Sequence, residues 1–467
     1  MKSIQEKCGL FGLYSSEECV FDVCRGIDFL QHRGQRFCGI ATCEKGIHLV
    51  THHGKVGETF TTDNLNYLKG TFGIGHVSLW ERQPIHRISN LGEISVAFSG
   101  NIINSRELVS EMMAAGGCFL NGDDIEIISQ IIISAGDPVA GILAMAEKIK
   151  GAYSLLILTQ IGIYATRDVY GLRPLILGKR GGRYAASSES RAITNLDMEV
   201  YRDVMPGEIV FIDGHGFETI KQLHSPCRAY CAFEWAYTAS IDSIMENLPV
   251  QQARNSMGAS LAQRDIDEGG IEADIVAPVP MSGCGHALGY HMRSNINYQE
   301  VYLYNRYADR SYTQVTQVER EKMAKRKLSV LTYGVKDQKI ILCDDSIVRG
   351  TQIYNTVQDL KRAGAVEVHV RVACPPLMYP CDFGISTRST DELIARKFIK
   401  QGSIDSMKKL LELEAWVADQ IHADSVKYNS LDNFVSALGI PKNNLCLKCW
   451  DGISPLRNNC YPQKTVD

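Results

Sequence analysis

Residues Lys339–Ile353 constrain the fold of this 467-residue chain more tightly than any other stretch. Ile340, Ile341 and Leu342 form an apolar run that ends in two adjacent carboxylates, Asp344 and Asp345. A short loop from Ser346 to Gly350 follows, and then Ile353, Val357 and Leu360 recur at helical spacing before a stop at Gly364. Beyond it Val366, Val368, Val370 and Val372 alternate as in a strand, all on one face. Strand, loop, helix and strand make a βαβ unit, with the loop at the carboxyl end of a parallel strand, where open α/β sheets bind ligands.

The loop's chemistry follows from its residues. Backbone N–H groups of a glycine-containing loop that opens a helix cradle an anion, and the helix dipole favours a phosphate there. Arg349 and the Thr351 hydroxyl add donors suited to a phosphate monoester. Asp344 and Asp345 would repel the phosphate; they suit a sugar diol or a hard cation such as Mg²⁺. A ligand with a phosphate at one end and a diol in its middle fits both halves. The run Asp344-Asp-Ser-Ile-Val-Arg-Gly-Thr351 closely resembles the signature of the type I phosphoribosyltransferases, which bind phosphoribosyl pyrophosphate (PRPP), in the wording of the amidophosphoribosyltransferases. The resemblance implies that Asp344, Asp345, Ser346, Arg349, Gly350 and Thr351 bind PRPP.

Bulk properties agree with such an enzyme and exclude other classes. The length predicts two or three domains. Hydrophobic residues make up 45% and charged residues 22%, ordinary for a globular protein. A net charge of -4 gives no basic footprint for nucleic acid. No apolar run reaches the ~18 residues of a membrane span, and the N-terminus lacks the apolar core of a signal peptide, so a cytoplasmic protein is expected. Fifteen cysteines without a secretory signal predict reduced thiols and a candidate metal site.

In the N-terminal half, Cys8-Gly-Leu-Phe-Gly-Leu13 reads as a strand with a thiol at its head, and Leu30-Gln-His-Arg-Gly34-Gln35 follows. Together they resemble the class II glutamine amidotransferases. That resemblance implies a propeptide of residues 1–7, a nucleophilic Cys8, and a four-layer αββα sandwich of the N-terminal-nucleophile type. The freed α-amino group, with a pKa near 8, would serve as base for its own thiol, which attacks the glutamine amide. Gly151-Ala-Tyr-Ser154, Arg167–Leu175, Ser187–Ser190 and Met205–Glu208 also correspond, and Asp124 matches the acid that receives the glutamine α-amino group. Gly34, Ser99, Gly100 and Asp124 are the implied glutamine-binding residues. Two positions depart from the family's pattern. Ser78 stands where an arginine would clamp the glutamine carboxylate, in a stretch that is shortened before Gln83-Pro84, and Ser99 replaces the asparagine that stabilises the oxyanion. Losing one such donor costs on the order of 3 kcal/mol of barrier. Arg82 and the Ser99 hydroxyl are the candidate replacements. Cys8 argues for glutaminase activity; Ser78 and Ser99 argue against it.

After Gly214 a connecting stretch is expected, and then Cys231-Ala-Phe-Glu-Trp-Ala-Tyr resembles the family's entrance to an α/β phosphoribosyltransferase domain spanning 229–467, after a glutaminase domain spanning 8–228. Ala273–Pro280 reads as a short buried strand. It ends at Met281-Ser282-Gly283, where the family has Asp-Ser-Gly, and the resemblance places Ser282 with Asp344 and Asp345 at Mg²⁺. Asn305–Gln314, with Arg310, and Lys327 downstream resemble the family's lid, which closes over pyrophosphate and keeps water from an oxocarbenium-like transition state.

Cys446-Leu-Lys-Cys449, taken alone, suits a redox pair, half a zinc site or half an iron–sulfur site. Iron–sulfur members of the family place a further cysteine at the transferase entrance and one in Tyr-Pro-Cys, and Cys231 and Cys381 fill those positions, so the resemblance implies a structural [4Fe–4S] cluster. Cys343 and Cys374 read as core. From Ser403 to His422 an amphipathic helix is expected to bury Met407, Leu410, Leu411 and Trp416.

The sequence thus reads as an amidophosphoribosyltransferase-like chain forming 5-phosphoribosylamine from PRPP and glutamine-derived ammonia, the first step of purine biosynthesis. The alternatives are an ammonia-dependent transferase with an inactive glutaminase, and a non-catalytic PRPP sensor. The resemblance further implies a homo-oligomer, dimer or tetramer, inhibited by purine nucleotides.

Overall fold

The computed structural model describes residues 8–304, 328–384, 387 and 389–456. The expected propeptide, Arg310, Lys327 and the rest of the lid lie outside them.

The N-terminal half is two stacked antiparallel sheets with helices outside each. Edge to edge, the seven-stranded sheet runs through Glu199–Asp203, Ile176–Arg180, Arg183–Ser187, Gly9–Tyr14, Phe72–Ser78, Phe37–Cys43 and Ile47–His53. The six-stranded sheet runs through Gly216–Gln222, Glu208–Asp213, Ile163–Arg167, Gly151–Leu158, Gly92–Ile102 and Ile85–Ser89. Period-2 alternation explains why both sheets are buried on both faces. Leu10 points into the layer between the sheets with Leu156, Leu158 and Ile163. Its neighbour Phe11 faces outward to Val23 and Ile27 of the Val20–Phe29 helix. Leu155 and Ile157 face the opposite way from Leu156, onto Ile128 and Ile132 of the Asp124–Ser134 helix. This is the expected four-layer αββα sandwich. The stretch after Gly214 is not a bare connection: Gly216–Gln222 is the edge strand of the six-stranded sheet.

The C-terminal half is built on a five-stranded parallel sheet, Asn297–Tyr298, Ile275–Pro278, Lys339–Asp344, Glu367–Val372 and Ser425–Tyr428. Ile340 and Leu342 pack against Ile353, Val357 and Leu360 of the Thr351–Arg362 helix. Ile341 and Cys343 face the other way, toward Met257, Leu261 and Tyr290 of the helices Val250–Asp267 and Cys284–Ser294. With helices on both faces the strands read as near-continuous apolar runs. Val366 lies outside its strand and is exposed. The helix at Met407–Ile421 buries Leu410, Leu413, Val417 and Ile421, whereas Met407 and Leu411 are exposed. The expected stripe was therefore turned about the helix axis, because Leu413 and Val417, not Leu411, continue the i, i+3, i+7 row from Leu410. Among the described residues no helix is long and apolar enough to cross a membrane. Cys227 is disulfide-bonded, a departure from the expectation of reduced thiols throughout.

Candidate functional site

Three assemblies of the expected residues form. The first lies at the end of Lys339–Asp344. Asp344 is the last residue of this strand, Asp345 opens the loop, and both are buried. Ser282, from the turn after Ile275–Pro278, donates to Asp344 Oδ1 at 2.9 Å, and the Asp345 amide donates to the same oxygen at 2.9 Å. Ser346 Oγ donates to Asp345 Oδ2 at 2.5 Å. Burial, and then the charge of Asp345, push the Asp344 carboxyl well above the ordinary carboxylate range, and burial raises Asp345 as well. Two buried acids held this way are poised to receive a cation or hydroxyl donors, which would stabilise their ionised forms. The loop ends at Gly350, whose φ of +84° and whose missing Cβ, which would lie 2.6 Å from Ile394 Cδ1, require glycine. Thr351 begins the helix, where the first amides have no intrahelical acceptor. The Arg349 side chain is 62% exposed and pairs with Glu392 at 3.0 Å.

The second assembly surrounds Cys8, at the head of the Gly9–Tyr14 strand and only 6% exposed. Gly34 packs so tightly on the neighbouring strand that a Cβ there would sit 2.3 Å from Ser78 Cα. Ser99 donates its one hydroxyl proton to the Cys8 carbonyl at 3.0 Å, so that proton is committed and does not point at an oxyanion. Gly100 lies opposite Tyr153 in the sheet, and Asp124 accepts from the Ile102 amide at 3.0 Å at the start of its helix. Ser78 turns into its own loop, donating to the Glu81 carbonyl at 2.5 Å. Arg82, the expected replacement charge, is exposed with its guanidinium 6.0 Å over the Phe37 ring. Burial and the carboxylate of Glu81 push the Cys8 thiol up to about 12, with a smaller rise from Asp124 and opposing effects of Arg173 and Arg33.

The third assembly joins the halves. Tyr230–Cys231 pairs in parallel with Leu445–Cys446, which puts Cys231 directly opposite Cys446. Cys381 and Cys449 complete the lining of one cavity with Leu172, Arg173 and Lys448. Burial pushes the Cys231 thiol up to about 12 and raises Cys446. The hydrogen bond with Cys381, and then burial, raise Cys449. Among the described residues no three His, Cys, Asp or Glu side chains converge closely enough to hold a single ion. Cys343 and Cys374 are core, as expected.

Sequence reasoning missed the buried charges that link these assemblies. Arg33 bonds Glu189 and, at 2.8 Å, Glu234; Arg173 reaches Glu234 at 3.1 Å. All four are at most 3% exposed. Arg254 donates to the carbonyls of Trp235, Tyr237 and Ala239 at 2.9, 3.0 and 2.7 Å. Arg33, Arg173, Glu189 and Glu234 stand inside the family-like motifs, without a signal of their partners; Arg254 lies outside them.

Known proteins add to this geometry. A glutamine amidotransferase domain family matches residues 78–195. The amidophosphoribosyltransferase of Methanocaldococcus jannaschii is 35% identical over 97% of this chain and 98% of its own length. That of Bacillus subtilis is 32% identical over 97% of this chain and 95% of its own. A solved structure of the B. subtilis glutamine PRPP amidotransferase, complexed with ADP and GMP, aligns with a TM-score of 0.87 at 32% identity, covering 96% of this chain and 97% of that one. A second, described as the allosteric regulatory enzyme of purine biosynthesis, aligns with a TM-score of 0.86 at 32% identity over 98% of both chains. Likeness of this extent, along nearly the whole length and in both halves, places the chain in the amidophosphoribosyltransferase family.

Proposed function

We propose that this protein forms 5-phosphoribosylamine from PRPP, the first step of purine biosynthesis. The observation that carries this reading is the convergence of Ser282, Asp344 and Asp345 beside a loop whose Gly350 opens a helix. Asp344 and Asp345 take the ribose hydroxyls. Ser346 and the amides from Arg349 to Thr351 hold the 5-phosphate, and Arg349 turns from Glu392 to the ligand. Arg310 and Lys327 belong to the lid. Ammonia forms a bond to C1 as the bond to pyrophosphate breaks, and the product amine loses a proton to solvent. The acid pair with the Ser282 hydroxyl is a hard oxygen donor set that fits Mg²⁺. When bound there, Mg²⁺ neutralises the charge of the departing pyrophosphate.

The residue ranges support a division into a propeptide of 1–7, a glutaminase domain of 8–228 and a transferase domain of 229–467. The last strand of the sandwich ends at Gln222, and Tyr230 already pairs with Leu445 of the C-terminal half. Cys231, Cys381, Cys446 and Cys449 fit a [4Fe–4S] cluster: the four thiols line one cavity, and the short parallel pairing sets Cys231 directly opposite Cys446. The cluster's role is structural. By the same likeness the protein is a homo-oligomer, dimer or tetramer, inhibited by purine nucleotides.

Cys8 is the glutaminase nucleophile, with Gly34, Ser99, Gly100 and Asp124 around the glutamine. The commitment of the Ser99 proton to the Cys8 carbonyl and the turned-in Ser78 favour the ammonia-dependent reading, in which the glutaminase is weak. Pyrophosphate release from PRPP, measured separately with glutamine and with saturating ammonia, tests both levels. Release with ammonia well above glutamine is expected. Equal release with the two donors removes the ammonia-dependent reading. Tight PRPP binding with release by neither donor overturns the enzyme reading in favour of a sensor.

A further inference from the structure

Two carboxyl groups, one from each half, lie beside a single guanidinium. Ile244–Met245 and Leu248–Pro249 form a hairpin of the C-terminal half, closed by Glu246 and Asn247 at φ of +48° and +60°. Positive φ at both turn residues matches the twist of the flanking strands. The hairpin lies against the N-terminal half. Glu189 accepts from the Ser240 amide at 2.8 Å and from Ser243 Oγ at 2.7 Å, and Ser190 Oγ accepts from the Ile244 amide at 2.7 Å. At the tip the Glu246 amide donates to Asp203 Oδ2 at 3.1 Å, and Arg167 Nη1 donates to Glu246 Oε1 at 2.6 Å. The other oxygen, Asp203 Oδ1, is buried and receives no hydrogen bond among the described residues. Arg167 also donates to the carbonyls of Gly171, Arg173 and Val204, so its donors are engaged without reaching Asp203. Arg202 is held by Glu208, at 2.7 Å through each terminal nitrogen. The charges acting on Tyr230, whose ring lies 5.3 Å from the Arg167 guanidinium, are Glu246, Arg167 and Arg228, and Asp168 acts on Arg167.

We propose that Asp203 and Glu246 form a proton-operated latch between the two halves, closed when Asp203 takes a proton from solvent and loosened when it gives the proton up. Ionised, the pair sets two anions against one guanidinium and leaves Oδ1 buried without a donor, which is costly. Protonated, Asp203 turns that oxygen into a donor toward the Glu246 side, while Oδ2 keeps the Glu246 amide. Burial, and then the charge of Glu246, push the Asp203 carboxyl up to about 6, against the pull of Arg167. Because the folded value lies above the unfolded one, the stability linked to the latch is complete below about pH 4 and is lost as pH rises through about 6. The hairpin runs directly into the Val250–Asp267 helix, which packs on the sheet carrying Asp344, so the latch sets how firmly the N-terminal half grips that sheet. It does so whichever nitrogen donor the enzyme uses.

The test is hydrogen exchange of the full-length protein, read by mass spectrometry on peptides covering 240–250. Labelling at pH 5 and at pH 8 is compared, with times scaled for the intrinsic chemical rate. Relative to peptides of the Leu431–Leu438 helix, away from the latch, the hairpin is expected to open about tenfold more readily at pH 8. Asp203→Asn copies the protonated acid without titrating: its amide donates where the acid proton would, and its carbonyl still accepts from Glu246. The variant is expected to open slowly at both pH values and so to lose the tenfold difference. Equal protection of the hairpin at the two pH values in the unaltered protein overturns the proposal, whether or not the variant folds. An Asp203→Asn protein that keeps the full difference also overturns it, because another group would then be the one that titrates.

Discussion

Asp344 combines two demands that conflict in the ligand-free protein. Its carboxyl is raised well above the ordinary value by burial and then by Asp345. Because the folded pKa lies above the unfolded one, the stability linked to this group is complete below about pH 4 and is lost as pH rises through the folded value. Asp344→Asn is therefore expected to stabilise the ligand-free enzyme at pH 8 by roughly 1 kcal/mol or more, seen as a higher Tm. The same change should lower PRPP turnover by roughly 100-fold. A lower Tm at pH 8 would show that the acid pair is not strained by its own charge. At this scale the sequence was informative where chemistry is local: Asp344, Asp345 and Ser282 meet as the motifs implied. It was silent where a side chain chooses a distant partner. The pairing of Arg349 with Glu392, more than forty residues on, is such a choice.

At the scale of elements, periodicity identified the strand–loop–helix unit almost to the residue, because its apolar positions face one partner layer. The Met407–Ile421 helix was legible as a helix but not in its orientation, since Leu410, Leu411, Leu413 and Trp416 offer two overlapping stripes. Leu413→Ala is expected to cost about 2–5 kcal/mol, whereas Leu411→Ala, at an exposed site, should cost less than about 0.5 kcal/mol. Comparing the two by chemical denaturation checks which stripe faces the sheet. Gly350→Ala should raise the KM for PRPP and destabilise the fold by about 1 kcal/mol or more, as a Cβ meets Ile394 at positive φ. An unchanged KM would mean that the loop does not depend on that backbone conformation.

At the scale of the whole molecule, the two halves are joined by charge as well as apolar contact. Arg33 and Arg173 share Glu234 in a buried array that spans the boundary. Glu234→Ala would leave two buried guanidinium groups short of a carboxylate, and a loss of about 3–5 kcal/mol is expected. Calorimetry is expected to show one unfolding transition for the unaltered protein and two for Glu234→Ala, as the halves lose their common partner. A single, unshifted transition would locate the coupling elsewhere. None of this array could be read from spacing, because its members are 16 to 201 residues apart, in segments brought together only by the tertiary fold.

The short pairing of Tyr230–Cys231 with Leu445–Cys446 has a topological consequence. It fastens together two points roughly two hundred residues apart, so the segment between them is a closed circuit. Asn101 Nδ2 adds a stitch from the other half, donating at 2.7 Å to the carbonyl of Asp382, the residue after Cys381. A circuit of this kind tolerates interruption: one cut in a surface loop between the fastened points leaves both fragments tethered, and the particle can keep its shape after its chain has been severed.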